Sequence, residues 1–156
     1  MHKKLEIFSK KLYTYAKFSK LISGYLSIGY TIEGRIMFIN LSNHSSKNWS
    51  EEQLKEAQKY GEIVDMPFPS VDTNGDTVYY NDLAYRCIKD VLNADKNPVV
   101  MVQGEFVLTH RVVTGLKAMG IKCLAAVTKR EAVESVDKDG RIIKTSVFKF
   151  ERFMEY

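Results

Sequence analysis

The chain has 156 residues, about the length of one globular domain, and its 45% hydrophobic and 27% charged residues are ordinary for such a domain. The net charge of +4 is concentrated in residues 1–36, which carry +5, so that residues 37–156 carry −1. This distribution argues against a basic surface for long nucleic acid on the main part of the chain. No segment reaches the roughly 18–20 apolar residues of a membrane-spanning helix.

The two cysteines, Cys87 and Cys123, are far apart in the sequence and belong to no CxxC or Cys/His cluster. Their spacing argues against a disulfide framework or a zinc site and predicts a cytoplasmic protein. The sequence contains neither GxGxxG nor GxxxxGK[ST], which disfavours a dinucleotide-dependent enzyme and a P-loop nucleotidase. We therefore expect neither a metal nor a cofactor.

Residues 1–36 form a basic N-terminal extension that is distinct from a main domain over residues 37–156. One interpretation is an amphipathic helix that lies on a membrane or on an acidic partner. The other is that translation naturally starts at Met37 and that the extension is upstream sequence read in frame. The helical periodicity rests on apolar residues spaced three or four apart, at Phe8, Leu12, Tyr15, Phe18 and Ile22.

The first half of the main domain predicts a strand, a helix and a second strand in that order. A short apolar run over residues 36–41 predicts a strand buried on both faces. Ser50 opens a capping box that predicts the start of a helix, and Gly61 ends that helix. Residues 63–66 predict the second strand, which Pro67 stops because proline cannot donate to a strand ladder.

The second half continues the alternation and then changes to a pattern typical of a hairpin. Further helices are predicted over residues 78–93 and 106–119, and further strands over 99–102, 122–127, 132–136 and 142–150. Alternating strands and helices imply a parallel sheet with right-handed crossovers. The predicted fold is α/β, a Rossmann-like open sheet that is mainly parallel and three-layered, with a C-terminal antiparallel β-hairpin. That hairpin extends the sheet edge or forms an arm for a second subunit.

Ligands of open α/β sheets bind outside the carboxyl ends of the strands, so the loop after residue 41 is the first candidate binding site. There, hydroxyls, an amide and an imidazole are available to hold phosphate or ribose or to transfer a proton. The same residues would equally form a polar turn that caps the next helix. The candidates are Asn40, Ser42, Asn43, His44, Ser45 and Ser46.

Three further junctions occupy the same edge of the predicted sheet. Phe68 follows the second strand. Gly104 stands between a buried strand and a helix, where it lets a ligand approach backbone N–H groups that are open to an anion. Glu105 would contact ribose or base, or would only stabilise the helix dipole. A last junction is basic, and it would bind phosphate or form an exposed turn. The remaining candidates are Gln103, Phe106, Thr128, Lys129 and Arg130.

Four segments together resemble small prokaryotic CRISPR-associated proteins. The likeness extends over residues 37–156 and is to CARF-like, stand-alone proteins that bind cyclic oligoadenylate, some of which are ring nucleases. The segments are FINLSNH (38–44), IVDMPFP (63–69), VQGEF (102–106) and FERFMEY (150–156).

The resemblance implies a homodimer with the cyclic ligand across its two-fold axis. It also implies a phosphodiesterase reaction without a metal, in which a ribose 2′-hydroxyl attacks the adjacent phosphate. In that reaction Ser42, His44 and Lys129 are the expected catalytic residues, and the other candidates bind the ligand.

Two alternatives remain open. One is a sensor that binds the nucleotide without cutting it. The other is an interaction module that docks through the hairpin and the aromatic C-terminal residues.

Overall fold

The computed structural model of the chain describes residues 36–136 and 138–156. The helix predicted over residues 5–26, and the interpretations attached to it, lie outside the described residues. Five strands are present, at Met37–Ser42 (β1), Glu62–Met66 (β2), Val99–Gln103 (β3), Lys122–Val136 (β4) and Ile142–Glu155 (β5). Three α-helices connect them, at Glu51–Gln58 (α1), Thr77–Ala94 (α2) and Phe106–Ala118 (α3).

The strands form one sheet in the order β2-β1-β3-β4-β5. Strands β1 to β4 pair in parallel, and β5 pairs with β4 antiparallel. The predicted fold class, a mainly parallel α/β sheet with a C-terminal antiparallel hairpin, is therefore confirmed.

The sheet is covered on both faces because its central strands are apolar on both sides. On one face, Ile39 and Val100 pack with the apolar stripes of α2 and α3, which include Cys87 and Val112. On the other face, Phe38 packs with Ala57 of α1. The result is the three-layer arrangement that alternating strands and helices predict.

Side-chain caps fix where the helices begin. The Ser50 hydroxyl accepts a hydrogen bond of 3.2 Å from the Gln53 N–H at the start of α1, as the capping box predicts. Asp76 does the same for α2, accepting from the Tyr79 N–H at 2.8 Å. Gly120 has φ +81°, a left-handed conformation that ends α3 at low cost because glycine has no Cβ.

The prediction of three separate strands after residue 121 was wrong, because β4 and β5 are each long and continuous. β4 runs through residues 128–130, which read as a basic turn, and β5 includes Phe150 and Phe153, which read as a tail. Both phenylalanines pack inward, with ring centroids 4.9 Å apart. A register shift between Val127 and Thr128 marks the position where the sequence predicted a break.

Both cysteines are buried and unpaired. Burial raises the pKa of the Cys87 thiol to about 11, and burial likewise raises that of Cys123 to about 11. In the part of the chain that the structure describes, none of the helices is long and apolar enough to cross a membrane.

Within residues 36–136 and 138–156, the Thr109 hydroxyl is the one buried side-chain polar atom without a hydrogen-bond partner. An unpaired buried hydroxyl costs free energy that an apolar group of the same shape does not. We expect Thr109→Val to raise the free energy of unfolding by about 1 kcal/mol in urea denaturation. Thr145→Val, at an exposed position, is the control and should change it by less than about 0.5 kcal/mol. A destabilised Thr109→Val protein would contradict this account.

Candidate functional site

The candidate site lies where the connections from β1 and β3 leave the sheet in opposite directions. From β1 the chain passes through α1 on one face to reach β2, and from β2 it passes through α2 on the other face to reach β3. β1 therefore lies between β2 and β3, with Ser42 in register with Gln103. In open α/β sheets such a switch point opens a crevice at the carboxyl ends of the strands.

The loop after β1 is organised by a carboxylate from the neighbouring strand. Asp65 of β2 is in register with Asn40 of β1 and accepts a hydrogen bond of 2.7 Å from its amide. It also accepts from the Ser45 hydroxyl at 2.8 Å, the Ser46 N–H at 3.0 Å and the Ser46 hydroxyl at 3.1 Å. These donors occupy the acceptor capacity of the carboxylate, which therefore holds the loop in one conformation.

Hydrogen bonding keeps the Asp65 carboxyl ionised. Partial burial raises its pKa, but the hydrogen bonds from Asn40, Ser45 and Ser46 lower it by more, so the pKa lies below its ordinary value. A carboxylate of this kind is a fixed negative acceptor and a weak base.

Asn40 and Ser42 are buried beneath the loop, with 1% and 5% of their surfaces exposed. The Ser42 hydroxyl donates to the Asn40 side-chain oxygen at 2.7 Å and accepts from the His44 N–H at 3.1 Å. The second Asn40 amide hydrogen bond goes to the His44 carbonyl at 2.8 Å. The structure therefore places both predicted residues where they support the loop, and not where they would touch a ligand.

Asn43, His44, Lys47 and Asn48 are exposed in this loop, and Asn43 and His44 come directly after β1. The backbone of His44 is fixed, because its carbonyl also accepts a bond of 3.2 Å from the indole N–H of Trp49. Trp49 is the single tryptophan of the chain, so its fluorescence reports directly on this loop.

On the other side of the crevice, Glu105 caps the start of α3, which is the alternative to ligand contact that the sequence left open. The Glu105 carboxylate accepts from the N–H groups of Val107 at 3.0 Å and Leu108 at 2.8 Å, so these amides are capped and not open to an anion. The Gln103 amide donates to the Ala126 carbonyl at 3.2 Å. Phe106, the first residue of α3, is 89% exposed.

Phe68 and Gly104 form a packing pair. The ring of Phe68 is only 4% exposed, and a Cβ added to Gly104 would lie 2.4 Å from it. The Phe68 N–H donates to the Ser42 carbonyl at 3.3 Å, which anchors the chain after β2 beside β1. Phe68 and Gly104 thus fill the space beside each other, and ligand contact at either residue stays a prediction.

A basic loop at the carboxyl edge was predicted for Thr128, Lys129 and Arg130. These residues lie instead within β4. The Lys129 ammonium lies 3.5 Å from the Glu131 carboxylate, and Arg130 donates to the Ser146 hydroxyl at 2.8 Å. Both faces of this part of the strand pair are exposed, so apolar residues are not required at alternate positions. The polar residues 128–130 were therefore predicted as a turn.

Two residues of this region were missed by sequence reasoning. Asp65 could have been found, because it is a charge within an otherwise apolar strand and its register partner Asn40 is also polar. The Tyr156 hydroxyl donates to the Val102 carbonyl at 2.7 Å, across β4, and nothing in the sequence indicated this contact. In the described residues, no group of three or more His, Cys, Asp or Glu side chains is placed to hold a metal ion.

A family model described as "Uncharacterized protein MJ1673 family" matches residues 36–154. The chain belongs to this family. The match includes every helix and strand described above except the last residue of β5, together with the loop after β1 and the β3–α3 junction. Neither a curated protein nor a solved structure matches this member of the MJ1673 family significantly.

Proposed function

We propose that the chain binds a nucleotide at the carboxyl edge of its parallel strands. The observation that carries the proposal is the pairing of Ser42 with Gln103 at the switch point, which sets the loop after β1 opposite the start of α3. The loop offers the amide of Asn43 and the imidazole of His44, and the helix offers the exposed ring of Phe106. Polar groups for phosphate or ribose thus share one edge with an aromatic surface suited to a base.

The resemblance to CARF-like proteins makes cyclic oligoadenylate the ligand that we propose, with a homodimer binding it in the cytoplasm. The proposed reaction is metal-independent. The ribose 2′-oxygen attacks the adjacent phosphorus as its proton passes to a base, and the bond to the 5′-oxygen breaks. The 5′-oxygen takes up a proton, and a 2′,3′-cyclic phosphate remains. Positioning the 2′-oxygen in line with the leaving oxygen is the main contribution required of the protein.

His44 is the residue that we assign to proton transfer, because its imidazole is exposed beside the ordered loop. Lys129 and Arg130 are cations of β4 beyond Ala126, where charge on a phosphate would be stabilised. Ser42 supports His44 through the hydrogen bond from the His44 N–H to the Ser42 hydroxyl.

A sensor that binds without cleaving is the second candidate. Among residues 36–136 and 138–156, no side chain holds the imidazole of His44, whereas a general base is normally oriented by a partner group. Binding and cleavage therefore need separate measurement.

The first test is a thermal-shift screen of the full chain against cyclic tri-, tetra- and hexa-adenylate and linear oligoadenylates. A ligand at 100 times its Kd should stabilise the fold by about 2.7 kcal/mol. Trp49 fluorescence provides an independent readout, because its indole is bonded to the candidate loop. A selective shift supports nucleotide binding, and the absence of any shift or fluorescence change would refute it.

We expect His44→Ala to reduce single-turnover cleavage roughly 10²- to 10⁴-fold while changing ligand affinity much less. The physical reason is that proton transfer contributes in the transition state and little to the bound ground state. His110→Ala is the matched control, since His110 is also exposed but lies on α3. Equal turnover of His44→Ala and the unmodified chain would remove His44 from the mechanism.

A further inference from the structure

The two long strands continue past the rest of the sheet as an isolated ribbon. β3 pairs with β4 only as far as Met101 and Leu124, whereas β4 and β5 remain paired from Thr128 and Phe150 to Val136 and Ile142. We call residues 128–136 and 142–150 the arm. Every residue of the arm except Phe150 is exposed.

An arm of this kind is poorly stabilised by itself. A two-stranded ribbon is marginally stable in water unless one face packs against something. Three of its apolar side chains are about two-thirds exposed: Val136 at 68%, Ile142 at 68% and Phe148 at 66%. These exposures indicate a surface that gains free energy when it is covered.

One face of the arm has a self-complementary order of side chains. Residues directly opposite in an antiparallel pair share a face, and alternate pairs along the arm share the same one. From base to tip, the pairs on this face are Thr128–Phe150, Arg130–Phe148, Ala132–Ser146, Glu134–Lys144 and Val136–Ile142. Aromatic residues lie near the base, aliphatic residues at the tip, and two small residues at the centre.

We propose that a second copy of this chain covers this face, with the two arms packed antiparallel about a two-fold axis through Ala132. A rotation about an axis perpendicular to the strands sets position 130 of one arm against position 134 of the other. Arg130, which donates to Ser146 in its own arm at 2.8 Å, then meets Glu134 of the second copy, which is also paired with Lys144 of its own arm at 2.8 Å. The same rotation sets the exposed ring of Phe148 against the Lys144 side chain of the second copy. Both contacts occur twice, as an isologous interface requires.

The arm lies beyond the carboxyl end of β3, so in the antiparallel dimer the two carboxyl edges face each other across the two-fold axis. The proposal does not rest on nucleotide binding, although Arg130 is also one of the cations assigned to the phosphate, so the dimer is measured without nucleotide. Each arm offers a face of roughly 30 Å by 10 Å, from nine residue pairs at about 3.3 Å per residue. That is below the roughly 800 Å² per partner of a stable complex, so the dimer dissociates on dilution.

The test is sedimentation equilibrium of the full chain over a range of concentrations, with a charge swap in the arm. Arg130→Glu alone and Glu134→Arg alone each place like charges together across the axis and should raise the dimer Kd at least about tenfold. The double variant Arg130→Glu with Glu134→Arg restores opposite charges and should recover most of the affinity.

The control reverses a charge on the opposite face of the same strand. Lys129 is next to Arg130 in sequence but lies on the opposite face of the strand, away from the proposed interface. Lys129→Glu should therefore leave the dimer Kd unchanged. Trp49 fluorescence and the melting temperature of each variant show that the domain is folded. A monomeric chain at all concentrations, a double variant no better than the singles, or a control that weakens the dimer equally would each overturn the proposal.

Discussion

Replacing Asp65 with alanine is expected to lower the free energy of unfolding by about 2 kcal/mol and to abolish the nucleotide-induced thermal shift. The substitution removes the acceptor of four hydrogen bonds from Asn40, Ser45 and Ser46. The buried Asn40 amide loses a partner, and the loop that carries His44 loses its anchor. Urea denaturation followed by Trp49 fluorescence measures the first effect.

Asp82→Ala is the control for charge loss at a carboxylate. Asp82 forms an ion pair of 3.0 Å with Arg86 on the surface of α2, with both side chains more than half exposed. Exposed pairs of this kind contribute less than about 1 kcal/mol. If the two alanine variants had equal stability, the organising role assigned to Asp65 would be wrong.

The contribution of Asp65 also depends on pH. Its pKa is lower in the folded chain than in the unfolded chain, so the unfolded chain binds the proton more readily. The stabilisation is therefore complete above about pH 4 and is lost as the pH falls through the lowered pKa. The difference in free energy of unfolding between the unmodified chain and Asp65→Ala should therefore become smaller as the pH falls below about 4.

Replacing Phe106 with alanine is expected to weaken nucleotide binding by about 1–3 kcal/mol, or roughly 5- to 150-fold. The ring is 89% exposed at the start of α3, so its removal costs little packing within the fold. Base stacking on an aromatic ring depends on the ring's face, so Phe106→Trp should retain affinity. Titration of Trp49 fluorescence in Phe106→Ala, and calorimetry in Phe106→Trp, provide the measurements.

Val107→Ala is the neighbouring control for Phe106. Val107 is 46% exposed on the same turn of α3 but has no aromatic ring. Its replacement should change the affinity by less than about twofold, since a lone exposed aliphatic contact contributes little. Unchanged affinity in Phe106→Ala would show that the base does not stack on this ring.

The sheet and its helices were predictable because local and tertiary preferences agree there. The capping box at Ser50, the apolar run of β1 and the left-handed Gly120 each act within a few residues, and each appears in the structure as expected. The hairpin itself was predicted, because residues 132–136 and 142–150 alternate apolar and polar side chains. The continuity of β4 was not predicted, since residues 128–130 are polar and gave no strand signal.

The sequence predicted that the loop after β1 and the β3–α3 junction share one edge, but not the hydrogen bonds within them. The geometry of parallel strands placed the loop after β1 and the β3–α3 junction on one edge. Whether a polar residue faces outward or supports a neighbour depends on contacts distant in sequence. Asn40 and Asp65 are 25 positions apart, and only the register of β1 with β2 brings them together. Phe68 and Gly104 likewise meet only through the tertiary fold.

The reactivity of the two buried thiols reports local unfolding of this protein. Cys87 lies on α2 and Cys123 lies in the part of β4 that pairs with β3, and both belong to the core between the sheet and the helices. Because only the thiolate reacts and burial suppresses it, modification by an alkylating reagent should proceed at the rate at which each region transiently unfolds. Mass spectrometry of the two sites over time would then show whether α2 or the central part of β4 opens first.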